Sequence, residues 1–296
     1  MEGQIIHSQV VGSAALGILQ ASLQGHVIGT PSGGVFLRTE AGWVLFLSFA
    51  AWRGPLTINL PSAGITNLHL DLHTPFRIGT GSITFPQEQF AVEFSQAERW
   101  SPPPRPQQVL PLAERVQRFA VVAAAVNGNF ANRAQSRPDI PTPMVGQSSK
   151  VEFLGLPAQQ KFLVPAKPDK IVSALVAGLG LGPGLTPAGD DMSLGFLLAL
   201  NRWGDWLRPD LPPEPINQAL MDAARQRTTA LSASLIECAA SGQADERLVA
   251  ALDGLVSGTI AEDRIVEYLL GWGYSSGVAA MQGMRLALGG ENVQTC

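Results

Sequence analysis

The hydrophobic pattern changes its period along the chain, and this change constrains the fold more than any other feature. Residues 25–94 contain short segments rich in β-branched and aromatic residues, separated by Gly and Pro: HVIGT, GVFLRT, WVLFLSF, LTINL, NLHLDL, SITF and AVEF. Such segments are typical of strands. From about residue 168 the apolar residues recur at helical spacing. We therefore predict an α+β protein, with an N-terminal antiparallel β-rich barrel or sandwich followed by a C-terminal all-helical domain.

The domain boundary is predicted between residues 165 and 166. The first domain, 1–165, also contains one predicted helix in PLAERVQRFAVVAAAVNG and a long polar, Pro-containing loop after it. The second domain, 166–296, is expected to contain four to six packed helices. Thr186-Pro187 predicts a helix start, with the Thr186 hydroxyl at the N-cap. The segment TIAE at 259–262 predicts a capping box at a second start.

The composition indicates a folded protein and excludes several classes of partner. The chain of 296 residues is 46% apolar and 15% charged, with a net charge of −4. No dense run of Lys and Arg occurs, so we expect neither nucleic acid nor an anionic membrane as partner. Two cysteines are too few for a disulfide framework, which fits a cytoplasmic protein. No apolar run has the length of a membrane span.

The segment GLGLGPGLTPAGDD at 178–191 is the main candidate for a functional site. Glycines feeding a helix N-terminus can expose backbone amides to a phosphate or carboxylate, which the helix dipole also favours. The segment lacks the Lys of a Walker A loop. Asp190 and Asp191 would repel a bare anion, and a Mg²⁺ ion bound to both would resolve this conflict. Alternatively, the two carboxylates only complement the helix dipole and the glycines only allow tight turns and packing.

Two other segments are candidates for the same site. In RQRTTALSAS, the adjacent Thr228 and Thr229 either contact a ligand or cap the second half of a helix that is interrupted near Arg227. In GWGYSSGVAAMQGM, Ser275 or Ser276 is predicted to cap the last helix. This segment either directs a second helix N-terminus at an anion or, through its glycines, packs closely on a neighbouring helix.

Histidine chemistry is restricted to the β-rich half. All four histidines, His7, His26, His69 and His73, lie there. A histidine base would have to reach the helical half from the other domain. A zinc site at His69 and His73 is a minor alternative to ordinary surface residues.

Four motifs together resemble the AllH-like family, which includes a subunit of oxamate carbamoyltransferase from anaerobic allantoin use. They are GLGPGLTPAGDD, the TTxxS pattern that begins at Thr228, the SSG of residues 275–277, and GPLTI at 54–58. The resemblance implies participation in carbamoyl transfer between carbamoyl phosphate and oxamate, together with other subunits. Family members tend to carry His and Asp where this sequence has Tyr274 and Ala279.

The resemblance and the residue chemistry together give one predicted site. Loop amides would hold a small anion such as carbamoyl phosphate or oxamate, and an arginine would supply counter-charge. Asp190 and Asp191 are the predicted catalytic residues and the predicted Mg²⁺ ligands. The predicted ligand-binding residues are Gly182, Gly184, Leu185, Thr186, Gly189, Arg225, Arg227, Thr228, Thr229, Ser275, Ser276 and Gly277. The alternative is a non-catalytic anion-binding or scaffold subunit, and either protein could form a homo-oligomer.

Overall fold

The computed structural model describes residues 4–61, 70–135 and 168–288. The chain divides into two compact units. Unit 1 comprises Met1–Pro103 with Gln243–Glu246, and unit 2 comprises Pro104–Gly242 with Arg247–Cys296. The predicted boundary between residues 165 and 166 lies outside the described residues and stays a prediction.

Unit 1 is built from ten strands in one curled sheet and a single short helix, among the residues described. The strand order is β1-β9-β8-β7-β3-β4-β5-β6-β2-β10. The pairs β1–β9, β2–β10 and β5–β6 are parallel and the other six are antiparallel, so the sheet is mixed. The elements are β1 (Gln4–His7), β2 (Val10–Gly12), α1 (Ser13–Ala21), β3 (Gln24–Gly29), β4 (Gly34–Thr39), β5 (Val44–Ser48), β6 (Thr57–Asn59), β7 (Pro75–Gly79), β8 (Ser82–Phe85), β9 (Phe90–Glu93) and β10 (Glu98–Trp100).

Alternating burial along the strands builds the core of unit 1. In β8, Ile83 and Phe85 are fully buried while their neighbours are only partly buried, as the period of two predicts. β7 follows the same rule with Phe76 and Ile78. The predicted β-rich N-terminal region is therefore confirmed.

One predicted strand is wrong where the structure describes it. Residues 67–69 of NLHLDL lie outside the described residues, and Leu70 to Leu72 form no strand. The chain turns here instead: the Thr74 amide donates to the Asp71 carbonyl at 3.1 Å, and His73 has a positive φ of 70°. The alternating leucines thus look like a strand, but Leu72 is left 57% exposed.

All regular elements in the described residues of unit 2 are helices. The predicted single helix after residue 110 is confirmed as α2, and seven helices follow in residues 168–288, more than the four to six predicted. The segment from Pro213 to Ala239 forms two of them, α5 and α6, separated at Thr228. The elements are α2 (Leu112–Gln135), α3 (Pro168–Gly178), α4 (Ala188–Leu207), α5 (Pro213–Arg227), α6 (Ala230–Ala239), α7 (Glu246–Ser257), α8 (Glu262–Gly271) and α9 (Ser276–Leu288).

Two predicted helix caps are wrong. α4 begins at Ala188 with Pro187 as its N-cap residue, so the Thr186 hydroxyl does not cap it. α8 begins at Glu262 after Ala261, without a side-chain cap. The Thr259 hydroxyl lies 2.7 Å from the Ser257 hydroxyl instead. Thr259 therefore does not form the predicted capping box.

α4 is the central helix of unit 2, and its closest neighbour is α9. The backbones touch at two glycines: a Cβ added to Gly195 would lie 1.9 Å from the Ala280 carbonyl oxygen, and one added to Gly283 would lie 1.9 Å from that of Met192. Such a distance is far below van der Waals contact, so any larger residue would force the helices apart.

A buried ion pair joins α4 to α7. The Arg202 guanidinium donates two hydrogen bonds to the Asp253 carboxylate, at 2.7 and 2.6 Å. The Trp203 indole N–H donates a third at 2.9 Å. These bonds compensate the cost of burying both charges.

None of the helices in the described parts of the chain combines the length and apolar character needed to cross a membrane.

Gly283→Ala is expected to lower the free energy of unfolding by about 1–3 kcal/mol or more, because its methyl group would overlap the Met192 carbonyl of α4. Gly128→Ala is the matched control. Gly128 lies in α2 with open space around it, so its alanine variant should be unchanged or more stable by up to about 1 kcal/mol. Urea denaturation measures both variants. Equal stability of the two would contradict the close contact of α4 and α9.

Candidate anion site

Residues 179–187 form a loop between α3 and α4, which we call the glycine loop. Gly180, Gly182 and Gly184 have φ values of +76°, +127° and +100°. Side chains rarely tolerate this region, so the alternation of glycines follows from the backbone path. A Cβ at Gly180 would also lie 2.3 Å from the Arg227 carbonyl oxygen. Gly180 is thus a residue of the site that the prediction left out, although it belongs to the same alternation.

The first part of the glycine loop is bonded internally. The Gly180 amide donates to Asp190 Oδ1 at 2.7 Å, and the Leu181 amide donates to the Gly178 carbonyl at 3.1 Å. The Gly189 amide, on α4, donates to the Leu181 carbonyl at 3.2 Å. Gly189 is one of the predicted ligand-binding residues, but its amide already donates this hydrogen bond within the protein.

The second part of the glycine loop offers free amides. Gly182 to Leu185 are exposed. Within residues 4–61, 70–135 and 168–288, four amides of the loop donate no hydrogen bond to the protein: those of Gly182, Gly184, Leu185 and Thr186. Exposed amides beside a helix N-terminus are suitable donors for an anion.

Asp190 holds the loop in place. Its side chain is buried, with the residue only 2% exposed. Oδ1 accepts the Gly180 amide, and Oδ2 accepts the Thr228 hydroxyl from the junction of α5 and α6. Since each oxygen already has a donor, the geometry favours a positioning role for this carboxylate over a role in chemistry.

Asp191 has a different environment. The residue is 1% exposed, Oδ2 accepts a long hydrogen bond from Thr186 Oγ1 at 3.4 Å, and Oδ1 is buried with no partner among the described residues. Burial raises the pKa of Asp191 to about 7, against the opposing effect of the nearby Ser276 and Thr186 hydroxyls. The neighbouring Asp190 raises this pKa slightly further. Asp191 can therefore exchange a proton near neutral pH.

Three helix N-termini meet at the glycine loop. The loop runs directly into α4. The Thr229 hydroxyl, the N-cap of α6, donates to the Leu185 carbonyl at 2.9 Å and accepts the Ser232 amide. The hydroxyl of Ser276, the first residue of α9, lies 3.3 Å from that of Thr186. Each helix start carries a partial positive charge, and the three charges add where the loop amides are free.

The two companion segments thus reach the glycine loop. Thr229 caps α6 after an interruption at Thr228, so the capping interpretation is confirmed. Contact of Thr228 and Thr229 with a ligand stays a prediction. In α6, the Ser232 hydroxyl is also buried without a partner among the described residues.

The start of α9 combines packing with proximity to the loop. A Cβ on Gly277 would lie 1.8 Å from the Leu269 carbonyl oxygen, so this glycine allows α9 to pack closely on α8. The carbonyl of Ser275 accepts the amides of Val278 and Ala279, at 3.1 and 3.2 Å. Ligand contact by Ser275, Ser276 and Gly277 stays a prediction. The Tyr274 ring packs edge-on against Phe130, with centroids 5.5 Å apart.

The two predicted arginines have other partners. Arg225 pairs with Glu237 at 3.1 Å and with Asp222 at 3.6 Å. Arg227 donates to the Val176 carbonyl of α3 at 3.0 Å. Among the described residues, neither guanidinium bonds to the free part of the glycine loop, so the helix termini supply the positive potential there.

The acidic pair alone is a poor metal centre. No group of three or more His, Cys, Asp or Glu side chains that could hold a metal occurs in the described parts of the chain. Asp190 already accepts two hydrogen bonds, whereas Asp191 Oδ1 has no donor. A Mg²⁺ ion would therefore depend on substrate oxygens and water for most of its ligands.

The alternative zinc site at His69 and His73 in unit 1 stays a prediction, because His69 lies outside the described residues. The ring of His73 lies 6.1 Å from that of His26, measured between centroids.

Comparison with known proteins finds a matching family, over the segment that contains this site. Residues 178–288 match the family model described as oxamate carbamoyltransferase subunit AllH. The match begins at the last residue of α3 and covers the glycine loop and α4–α9. The predicted resemblance is confirmed over this segment, which is less than half of the chain; the GPLTI motif lies outside it. No curated protein and no solved structure matches the chain.

Asp191→Asn is expected to remove a pH dependence of stability. Between about pH 4, near the pKa of an unfolded Asp, and pH 7, the folded wild type retains a proton that the unfolded chain releases. Its stability should therefore fall with rising pH, by up to about 1.4 kcal/mol per pH unit from this group. The stability of the variant relative to that of the wild type should therefore increase as the pH rises over this range.

Urea denaturation at several pH values from 5 to 8 measures the effect. Asp222→Asn, on the exposed surface of α5, is the control and should show no such trend. A difference between Asp191→Asn and wild type that does not change with pH would contradict the raised pKa.

Proposed function

We propose that this chain is a subunit of a carbamoyl-transferring enzyme similar to oxamate carbamoyltransferase, and that its glycine loop binds the anionic group of a small substrate. The observation that carries the proposal is the meeting of three helix N-termini at exposed, unbonded amides, within the segment that matches the AllH family. The family supports the reaction class, and the amides support an anionic substrate.

The proposed ligand is carbamoyl phosphate. Its phosphate would accept hydrogen bonds from the amides of Gly182, Gly184, Leu185 and Thr186. When the carbamoyl group is transferred to nitrogen, the carbon–oxygen bond breaks and the phosphate leaves with the electron pair. Amides and helix termini that stabilise this charge lower the barrier to transfer. The carboxylate of oxamate is the second anion that such a site suits.

Asp191 is the proposed catalytic residue. Its free Oδ1 would accept an N–H of the carbamoyl group or of the acceptor amide. With a pKa of about 7 it is also suited to take the proton that the nitrogen loses on transfer. Asp190 would act on the loop rather than on the substrate. Mg²⁺, if the enzyme uses it, would bind Asp191 and neutralise phosphate charge.

The remaining predicted residues surround this ligand. Thr228, Thr229, Ser275 and Ser276 provide hydroxyls beside the three helix starts. We propose that Ser276, which is within reach of Thr186, contacts the ligand and that Gly277 contributes by keeping α9 close to α8. Arg227, which donates a hydrogen bond to the Val176 carbonyl near the end of α3, is the better placed of the two arginines to provide long-range counter-charge.

The proposal includes partners. The matching family is described as a subunit, so other subunits of the same cytoplasmic enzyme would complete the activity, and a homo-oligomer is compatible with this. A non-catalytic anion-binding subunit is the second candidate. The observation that favours it concerns residue 274. Relatives tend to carry a histidine there, whereas this chain has Tyr274, whose ring packs on Phe130.

A charge placed on the glycine loop tests anion binding. Leu185 is 57% exposed beside the free amides, so Leu185→Glu should fold normally yet repel an anion. For the wild type, carbamoyl phosphate at 100 times its Kd should stabilise the protein by about 2.7 kcal/mol, measured by thermal shift. Leu185→Glu should weaken binding about tenfold or more, because a carboxylate faces a dianion at close range.

Leu185→Gln is the matched control, of equal size and without charge, and it should bind as the wild type does. Stabilisation of Leu185→Glu equal to that of Leu185→Gln would exclude the loop as the binding site. If the ligand binds but Asp191→Asn keeps full activity in the assembled enzyme, the non-catalytic candidate is correct.

A further inference from the structure

Unit 1 contains a cavity that the proposed carbamoyl site does not use. Its volume is about 610 Å³. It is lined by α1 and the two residues after it, the end of β7 and the turn that follows, one residue of β2, and the segment from Phe94 to Arg99 in β10. All of its lining residues belong to unit 1. The volume is within the range of small-molecule sites.

The walls of this cavity combine apolar and polar surface, with slightly more apolar than polar area. Val11, Leu19, Ile78 and Phe94 are buried core residues that also line it. The apolar part of the wall favours a ligand with a short hydrocarbon body, because its burial releases water from both surfaces.

One charged residue lines the cavity. Arg99, in β10, is exposed, and no described residue forms a hydrogen bond or ion pair with its guanidinium. A guanidinium binds a carboxylate through two parallel hydrogen bonds, and no acidic side chain among the lining residues competes for it. The net charge of the lining is therefore +1, which matches a single carboxylate.

A buried hydroxyl lies in the same wall. Ser22 lines the cavity and is 3% exposed, and its hydroxyl has no hydrogen-bond partner among the described residues. An unsatisfied buried hydroxyl is unfavourable and calls for an explanation. A polar group of a bound molecule would supply the missing partner after a rotation of the side chain.

We propose that this cavity is a binding site for an organic monocarboxylate with an apolar body. The carboxylate binds Arg99 at the rim, and the hydrocarbon part occupies the space between α1 and the strands. All residues of this site belong to unit 1, whereas the glycine loop belongs to unit 2, and the inference does not depend on the carbamoyl-transfer proposal.

Hexanoate is the probe, with acetate and hexan-1-ol as comparison compounds, and the full chain is used. Hexanoate should raise the melting temperature of the wild type more than either comparison compound at equal concentration, because only hexanoate has both the charge and the apolar body. Equal effects of hexanoate and acetate, or no effect of hexanoate, would overturn the proposal.

Two variants locate the binding. Arg99→Met should weaken hexanoate binding by about tenfold or more, the loss expected for charge-assisted hydrogen bonds. Thr80→Trp, at an exposed position in the turn that lines the cavity, should block hexanoate by filling the entrance. Calorimetric titration measures both affinities.

Arg77→Met is the matched control. Arg77 is exposed in β7 of the same sheet and does not line the cavity, so its variant loses the same charge elsewhere. It should bind hexanoate as the wild type does, and so should Leu185→Glu. Wild-type affinity in Arg99→Met, or an equal loss in Arg77→Met, would show that the cavity is not the site.

Discussion

The candidate site depends on the buried carboxylate of Asp190. It accepts one hydrogen bond from the Gly180 amide and one from the Thr228 hydroxyl, and so connects the glycine loop, the first turn of α4 and the start of the α5–α6 junction. A buried charge is tolerated only where donors compensate it, so the loop must keep the left-handed conformation at Gly180 that directs its amide inward. The later amides of the loop are left free as a result.

The packing of α4 against α9 gives this arrangement a rigid support. The two backbones meet at Gly195 and Gly283, and the ion pair of Arg202 with Asp253 fixes α4 on α7 as well. The N-termini of α4 and α9 therefore have defined positions, with Thr186 and Ser276 in contact. Donors that are held in place before a ligand arrives stabilise charge better than donors that must be reorganised.

Much of this organisation is predictable from the sequence. The change of period separates the strands from the helices, and the glycine alternation locates the loop, because both reflect local backbone preferences. The predicted strand at Leu70 is wrong because alternation over a few residues does not distinguish a strand from a turn in which Leu70 is buried and Leu72 is exposed. The short strands β1, β2 and β10 depend on pairing with distant strands, which local patterns do not reveal. Likewise, the different environments of Asp190 and Asp191 depend on Thr228 and Ser276, far away in sequence.

The most direct test of the central claim is to observe the loop amides themselves. In protein labelled with ¹⁵N-glycine, titration with carbamoyl phosphate should shift the amide resonances of Gly182 and Gly184 strongly, because these amides have no internal acceptor. The amides of Gly180 and Gly189, which are bonded to Asp190 and Leu181, should shift much less. Unchanged resonances of Gly182 and Gly184 at saturating ligand would contradict the account.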